Sequence, residues 1–119
     1  MNIYFNNQPF ETALVFIAGK TIDMSFNVYR WDISTSSWLL WDMTGMIITG
    51  KFRRMDGLLI KEITSSGGTP EITIAGSSMS IYDSGFTEAN FGEYEIEVND
   101  SGETVAIMRG YFNVLKNII

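Results

Sequence analysis

The chain of 119 residues contains neither cysteine nor histidine. The first absence removes disulfides and thiol nucleophiles. The second removes the commonest general base and the commonest metal ligand, so Ser-His, Cys-His and ordinary zinc sites are excluded together. Long apolar runs are also lacking, and none approaches the roughly 18 residues of a membrane-spanning helix, so no membrane partner is expected. The segment Met1-Asn2-Ile3-Tyr4-Phe5-Asn6-Asn7 has no basic stretch ahead of a longer apolar one, which points to a chain made and folded in a cytoplasm. Basic residues are scarce: Lys and Arg total 8 against 14 Asp and Glu, for a net charge of −6. That balance disfavours nucleic acid, whose phosphates are held mainly by clustered Lys and Arg. The one basic cluster, Lys51-Phe52-Arg53-Arg54, sends Lys51 and Arg53 to one face of a strand and Arg54 to the other. It reads as a solvated or edge strand, with an anion-binding strip as the alternative.

What the chain has instead is alternation. Glu93-Tyr94-Glu95-Ile96-Glu97-Val98-Asn99 switches between acid and apolar at every step, and in Thr21 to Val28 the apolar positions are Ile22, Met24, Phe26 and Val28. A period of two belongs to half-buried antiparallel strands, because successive side chains point to opposite faces. Further strands are expected at 13–17, 21–29, 46–55, 58–63, 71–75, 79–82, 93–99, 103–109 and 111–115. Asp56-Gly57 supplies the turn of the clearest hairpin, and Ser65 to Pro70 is a loop rich in turn formers. Thr87-Glu88-Ala89-Asn90 reads as a single helical turn that would tuck Phe86 and Phe91 under the sandwich. No segment has the spacing of three and four that a full amphipathic helix needs, and no longer period repeats. Phe26, Phe52, Ile96 and Phe112 are the expected core.

No catalytic, metal or cofactor site is expected. Glu93, Glu95 and Glu97 lie two apart on one strand face, which suits a hydrated surface better than a tuned acid/base pair. Asp32, Asp42, Asp56, Asp83 and Asp100 fall at expected turns, where Asp bonds its own backbone. Gly67 and Gly68 precede a proline rather than a helix, so they form no phosphate loop.

The sharpest feature is an aromatic hairpin. Tyr29, Trp31, Trp38 and Trp41 flank the tract Ser34-Thr35-Ser36-Ser37, and every tryptophan of the protein lies there. Some of these rings would cap the core, and the rest would form a projecting surface for a protein partner. A sugar could stack on the same rings. The termini are apolar as well: Tyr4 and Phe5 at one end and Ile118 and Ile119 at the other are expected to pack on a neighbouring copy or to add an edge strand within the subunit.

The order of features resembles a recurrent phage virion module. Its residues are a glycine near an opening strand, Asp23-Met24-Ser25-Phe26-Asn27-Val28, Asp42-Met43-Thr44-Gly45, Arg53-Arg54-Met55-Asp56-Gly57, Ile72-Thr73-Ile74, Phe91 to Val98, and Gly110-Tyr111-Phe112-Asn113-Val114. Over about residues 19–115 the chain is similar to the N-terminal domain of the upper baseplate proteins of long-tailed phages and to tail-fibre adaptors. Length and alternation give a single all-β domain, with residues 1–12 forming an N-terminal arm or edge strand and 13–116 the sandwich core, and the resemblance implies an immunoglobulin-like antiparallel β-sandwich. It further implies a non-enzymatic structural or attachment component of a virion, multicopy or homo-oligomeric and bound to other virion proteins. The family module precedes a long fibre region that does not follow here, which favours a small free-standing accessory protein. The hairpin from Trp31 to Trp41 departs from the family's shorter polar turn. A carbohydrate-binding module recognising host-surface glycans is the alternative.

Overall fold

The computed structural model describes residues 1–118. Ile119, one of the expected interface residues, lies outside the described residues. In chain order the strands are β1 (Asn2–Phe5), β2 (Phe10–Glu11), β3 (Leu14–Ile17), β4 (Ile22–Asp32), β5 (Ser37–Leu40), β6 (Ile47–Arg54), β7 (Leu59–Thr64), β8 (Ile72–Ala75), β9 (Ser78–Asp83), β10 (Asn90–Asp100) and β11 (Glu103–Leu115). They form two sheets packed face to face as a β-sandwich. The first has the order β1-β4-β9-β8 with β5 also paired to β4, and the second runs β2-β11-β10-β6-β7 with β3 also paired to β11.

Alternation places the core as expected. Phe26 and Val28 of β4, Met79 and Ile81 of β9, Phe52 of β6, Ile96 and Val98 of β10, and Phe112 and Val114 of β11 are all buried between the sheets. Phe52 is the hub of an aromatic cluster, with Phe16, Phe86, Tyr94 and Phe112 ring centroids within 5.3 to 6.0 Å of its own. Burial pushes the Tyr94 hydroxyl well above its ordinary range, and it donates a 2.6 Å hydrogen bond to the Thr12 carbonyl. That bond ties the N-terminal segment to the second sheet.

The sheets are mixed, with the parallel pairs confined to the N-terminal segment. β1 runs parallel to β4, while β2 and β3 run parallel to β11, and the remaining pairs are antiparallel as expected. The arm thus crosses from one sheet to the other at Asn6 to Gln8, where Asn7 takes a positive φ of 58°. The β6–β7 hairpin turns where Asp56-Gly57 places it: Gly57 adopts φ 92° and its amide donates to the Arg54 carbonyl at 2.8 Å. The expected helical turn at Thr87 to Asn90 does not form. A bend stands there, and β10 begins at Asn90 so that Phe86 is buried while Phe91 faces solvent. Strand alternation decides this, because Gly92 and Tyr94 face inward and Phe91 must then face out.

Candidate protein-interaction site

The β4–β5 hairpin positions the aromatic residues. Trp31 opposes Trp38 and Tyr29 opposes Leu40, so all four point to the outer face of the first sheet. Asp32 shapes the tip: its carboxylate accepts from the Ser34 amide at 3.1 Å, the Ser34 hydroxyl at 2.8 Å and the Thr35 hydroxyl at 2.8 Å. Those bonds hold the Asp32 carboxyl below its usual range, the Ser34 hydroxyl first. The tip is therefore an ordered turn closed by its own side chains.

The structure adds Tyr4 to this hairpin. β1 lies beside β4 with Tyr4 opposite Tyr29, and the two rings stack with centroids 4.9 Å apart. Trp38 meets Tyr4 edge-on at 5.3 Å and Trp31 edge-on at 5.3 Å. Tyr4, Tyr29, Trp31 and Trp38 form one contiguous cluster outside the core. Trp38 is 41% exposed and Leu40 56%, while Tyr29 and Trp31 are half-buried against each other's neighbours. Ile33 at the tip is exposed.

Two expected interface residues belong elsewhere. Phe5 is 2% exposed, because Ile3 and Phe5 take the inward positions of β1 and leave only Tyr4 outside. Trp41 lies just beyond β5, half-buried against the Phe5 ring at 5.1 Å, and the Arg30 guanidinium covers it at 5.4 Å. It caps the core. Ile118, three residues beyond the end of β11, is exposed.

The outer face of the second sheet holds features not foreseen. Val15, Asn113 and Phe91 lie side by side across β3, β11 and β10. With Ile17, Leu115 and Tyr111 they make an exposed apolar patch in which Phe91, 50% exposed, stacks on Tyr111 at 5.8 Å. The pattern Tyr111-Phe112-Asn113-Val114-Leu115 signals it, since Phe112 and Val114 face the core and their neighbours must face water. Next to this patch a groove of about 750 Å³ is lined by Lys51 and Arg53, by Glu93, Glu95 and Glu97, and by Arg109 and Glu11. Glu95 and Glu97 are half-buried there rather than fully solvated. The hydrogen bond to Glu97 raises the Glu95 carboxyl, burial and the Glu97 charge add to this, and Arg109 and Lys51 oppose it. Arg109 donates to Glu11 at 3.1 Å. Among the described residues no three carboxylates converge on a metal position.

No protein-family model matches the chain, and no curated protein matches it.

Proposed function

We propose that this protein is a non-enzymatic structural or attachment component of a bacteriophage virion, a baseplate, tail, neck or capsid accessory, and that it holds another virion protein through Tyr4, Tyr29, Trp31 and Trp38. One observation carries the reading: four large rings lie together outside the core, on a hairpin whose tip is internally hydrogen-bonded. Aromatic anchors of this kind dominate protein–protein binding energy once a partner covers them, and a contiguous apolar patch is a liability to a chain that stays alone. The lack of His and Cys supports a role without catalysis. The order of motifs from about residue 19 to 115 supports the virion setting.

A second reading rests on the row beside the rings. Asn27 donates to the Asn2 side chain at 3.4 Å, Ser78 donates to Asn27 at 2.7 Å, and Asn2 donates to the Tyr4 hydroxyl at 3.2 Å. Amides and hydroxyls next to aromatic rings suit a glycan. The protein contact is favoured because Tyr4 and Tyr29 cover one another's faces, whereas a pyranose stacks on an open ring face.

Trp38→Ala tests both. Under the attachment reading it lowers incorporation into particles by at least about thirtyfold with the fold intact, corresponding to about 2 kcal/mol or more at an interface anchor. Unchanged incorporation with lost binding on a glycan array would establish the second reading instead.

A further inference from the structure

Asp56-Gly57 is the only Asp-Gly step in the chain, and no Asn-Gly step occurs. Met55, Asp56 and Gly57 form the loop between β6 and β7, closed by two backbone bonds. The Gly57 amide donates to the Arg54 carbonyl at 2.8 Å, and the Arg54 amide to the Leu58 carbonyl at 2.9 Å. Such a loop needs its last residue at positive φ, and Gly57 supplies φ 92°.

The same glycine makes the turn chemically weak. Having no side chain, Gly57 leaves its own nitrogen unhindered to attack the Asp56 side chain. The nitrogen lone pair forms a bond to Cγ and a Cγ–O bond breaks. That oxygen departs as water, taking the amide proton and a second proton from the carboxyl group or from solvent. Water then opens the cyclic imide. Addition at Cγ restores aspartate, whereas addition at the main-chain carbonyl carbon of Asp56 gives isoaspartate, in which the backbone runs through Cβ and Cγ and is a methylene longer. The structure opposes the attack at both partners. Asp56 Oδ1 accepts from Arg54 Nε at 3.3 Å and from the Leu58 amide at 3.1 Å, and Oδ2 accepts from Arg54 Nη2. The guanidinium fork thus holds both carboxylate oxygens. Arg54 and the Leu58 amide bring this carboxyl down to about 2, so it stays ionised and is a poor target. The Gly57 N–H is meanwhile engaged by the Arg54 carbonyl and keeps its proton.

We propose that Asp56-Gly57 is the chain's preferred site of spontaneous conversion to isoaspartate and that Arg54 suppresses the conversion, with its side chain on the carboxylate and its carbonyl on the attacking nitrogen. The turn favours Asp-Gly, and Arg54 protects the step that this choice exposes. The pairing of β6 with β7 depends on it. A main chain lengthened at Asp56 cannot keep both the Gly57-to-Arg54 and the Arg54-to-Leu58 bonds, and the strand that follows carries Lys61, whose ion pair with Asp83 joins the two sheets. This inference is independent of the attachment reading.

The test is the rate of isoaspartate formation in the purified full chain aged at neutral pH, folded and in urea, read by enzymatic methylation of the modified site and by peptide mapping. At Asp56 the folded wild type should react more slowly than the wild type in urea. Both side chains of the pair are exposed, so Arg54→Gln should speed the folded chain by roughly two- to fivefold, with an unchanged strand spectrum. In urea the two chains should react alike. Arg54→Lys keeps the charge without the fork and should fall between them. Asp56→Glu should remove the signal from this position. Equal rates for folded Arg54→Gln and folded wild type would overturn the protective role. So would a difference that persists in urea, because it would then belong to the local sequence and not to the folded turn. Modification appearing first at Asp83-Ser84 or Asp100-Ser101 would overturn the assignment of the site.

Discussion

Lys61 and Asp83 join the two sheets through an ion pair of 2.7 Å, one from β7 and the other from β9. Both side chains are largely buried. Asp83 also accepts from the Gly85 amide at 2.8 Å, and the Lys61 ammonium lies 5.4 Å from the Phe86 ring centroid. Asp83→Ala leaves the ammonium without its carboxylate and should destabilise by about 3 kcal/mol, the lower part of the range for breaking a buried pair. The Lys61→Met, Asp83→Leu double variant should recover most of that loss. Urea unfolding of the three chains checks both; equal stability of the single variant and the parent would mean the pair is solvated.

Gly92 sits where β10 passes β6, and a Cβ built on it would stand 1.8 Å from the Arg53 carbonyl oxygen. That neighbour is backbone, so the strands themselves must shift. Gly92→Ala should destabilise by about 1–3 kcal/mol, as overpacking does. Gly68 has open space around it and should accept alanine within about 0.5 kcal/mol. Thermal melts of the two variants decide whether close approach is the reason for Gly92.

Most strands were legible because one face of each is buried, and alternation then names both the element and its inward residues. Phe26, Phe52, Ile96 and Phe112 are buried as that pattern requires. The parallel pairing of β1, β2 and β3 was not legible, since parallel and antiparallel strands leave the same local period and only the path of the chain distinguishes them. The interface residues divide along the same line. Met1 to Phe5 reads as an apolar terminus when taken whole, but its own alternation separates Ile3 and Phe5 in the core from Tyr4 outside. The stacking of Tyr4 on Tyr29 depends on a contact between residues far apart in sequence, which no local pattern carries.

The hairpin tryptophans should separate by role. Trp41 packs on Phe5 and should behave as a core residue, so Trp41→Ala is expected to destabilise by about 3 kcal/mol or more. Trp38 is exposed, and Trp38→Ala should change stability by less than about 1 kcal/mol while weakening attachment. Denaturant midpoints measured beside particle incorporation check the division, and a Trp38→Ala chain that unfolds as readily as Trp41→Ala would count against it.

Glu95 sets the pH response of the groove. Its carboxyl is raised by the hydrogen bond to Glu97, by burial and by the Glu97 charge, so the folded chain holds this proton more tightly than the unfolded chain does. The stability linked to that proton is present at low pH and is lost as pH rises from the ordinary carboxylate range through the folded value. Asp56 has the opposite sign: the Arg54 guanidinium and the Leu58 amide bring it down to about 2, so its contribution is present above the ordinary range and is lost as pH falls towards that value. Glu95→Gln should therefore raise the melting temperature at neutral pH and have less effect as pH falls towards the ordinary carboxylate range. Asp56→Asn should lower the melting temperature at neutral pH and lose that effect only in stronger acid. Melting curves of both variants from strong acid to neutral pH check the signs. A Glu95→Gln chain that melts below the parent at neutral pH would show that the carboxylate is held in place by Arg109 and Lys51 rather than strained against Glu97.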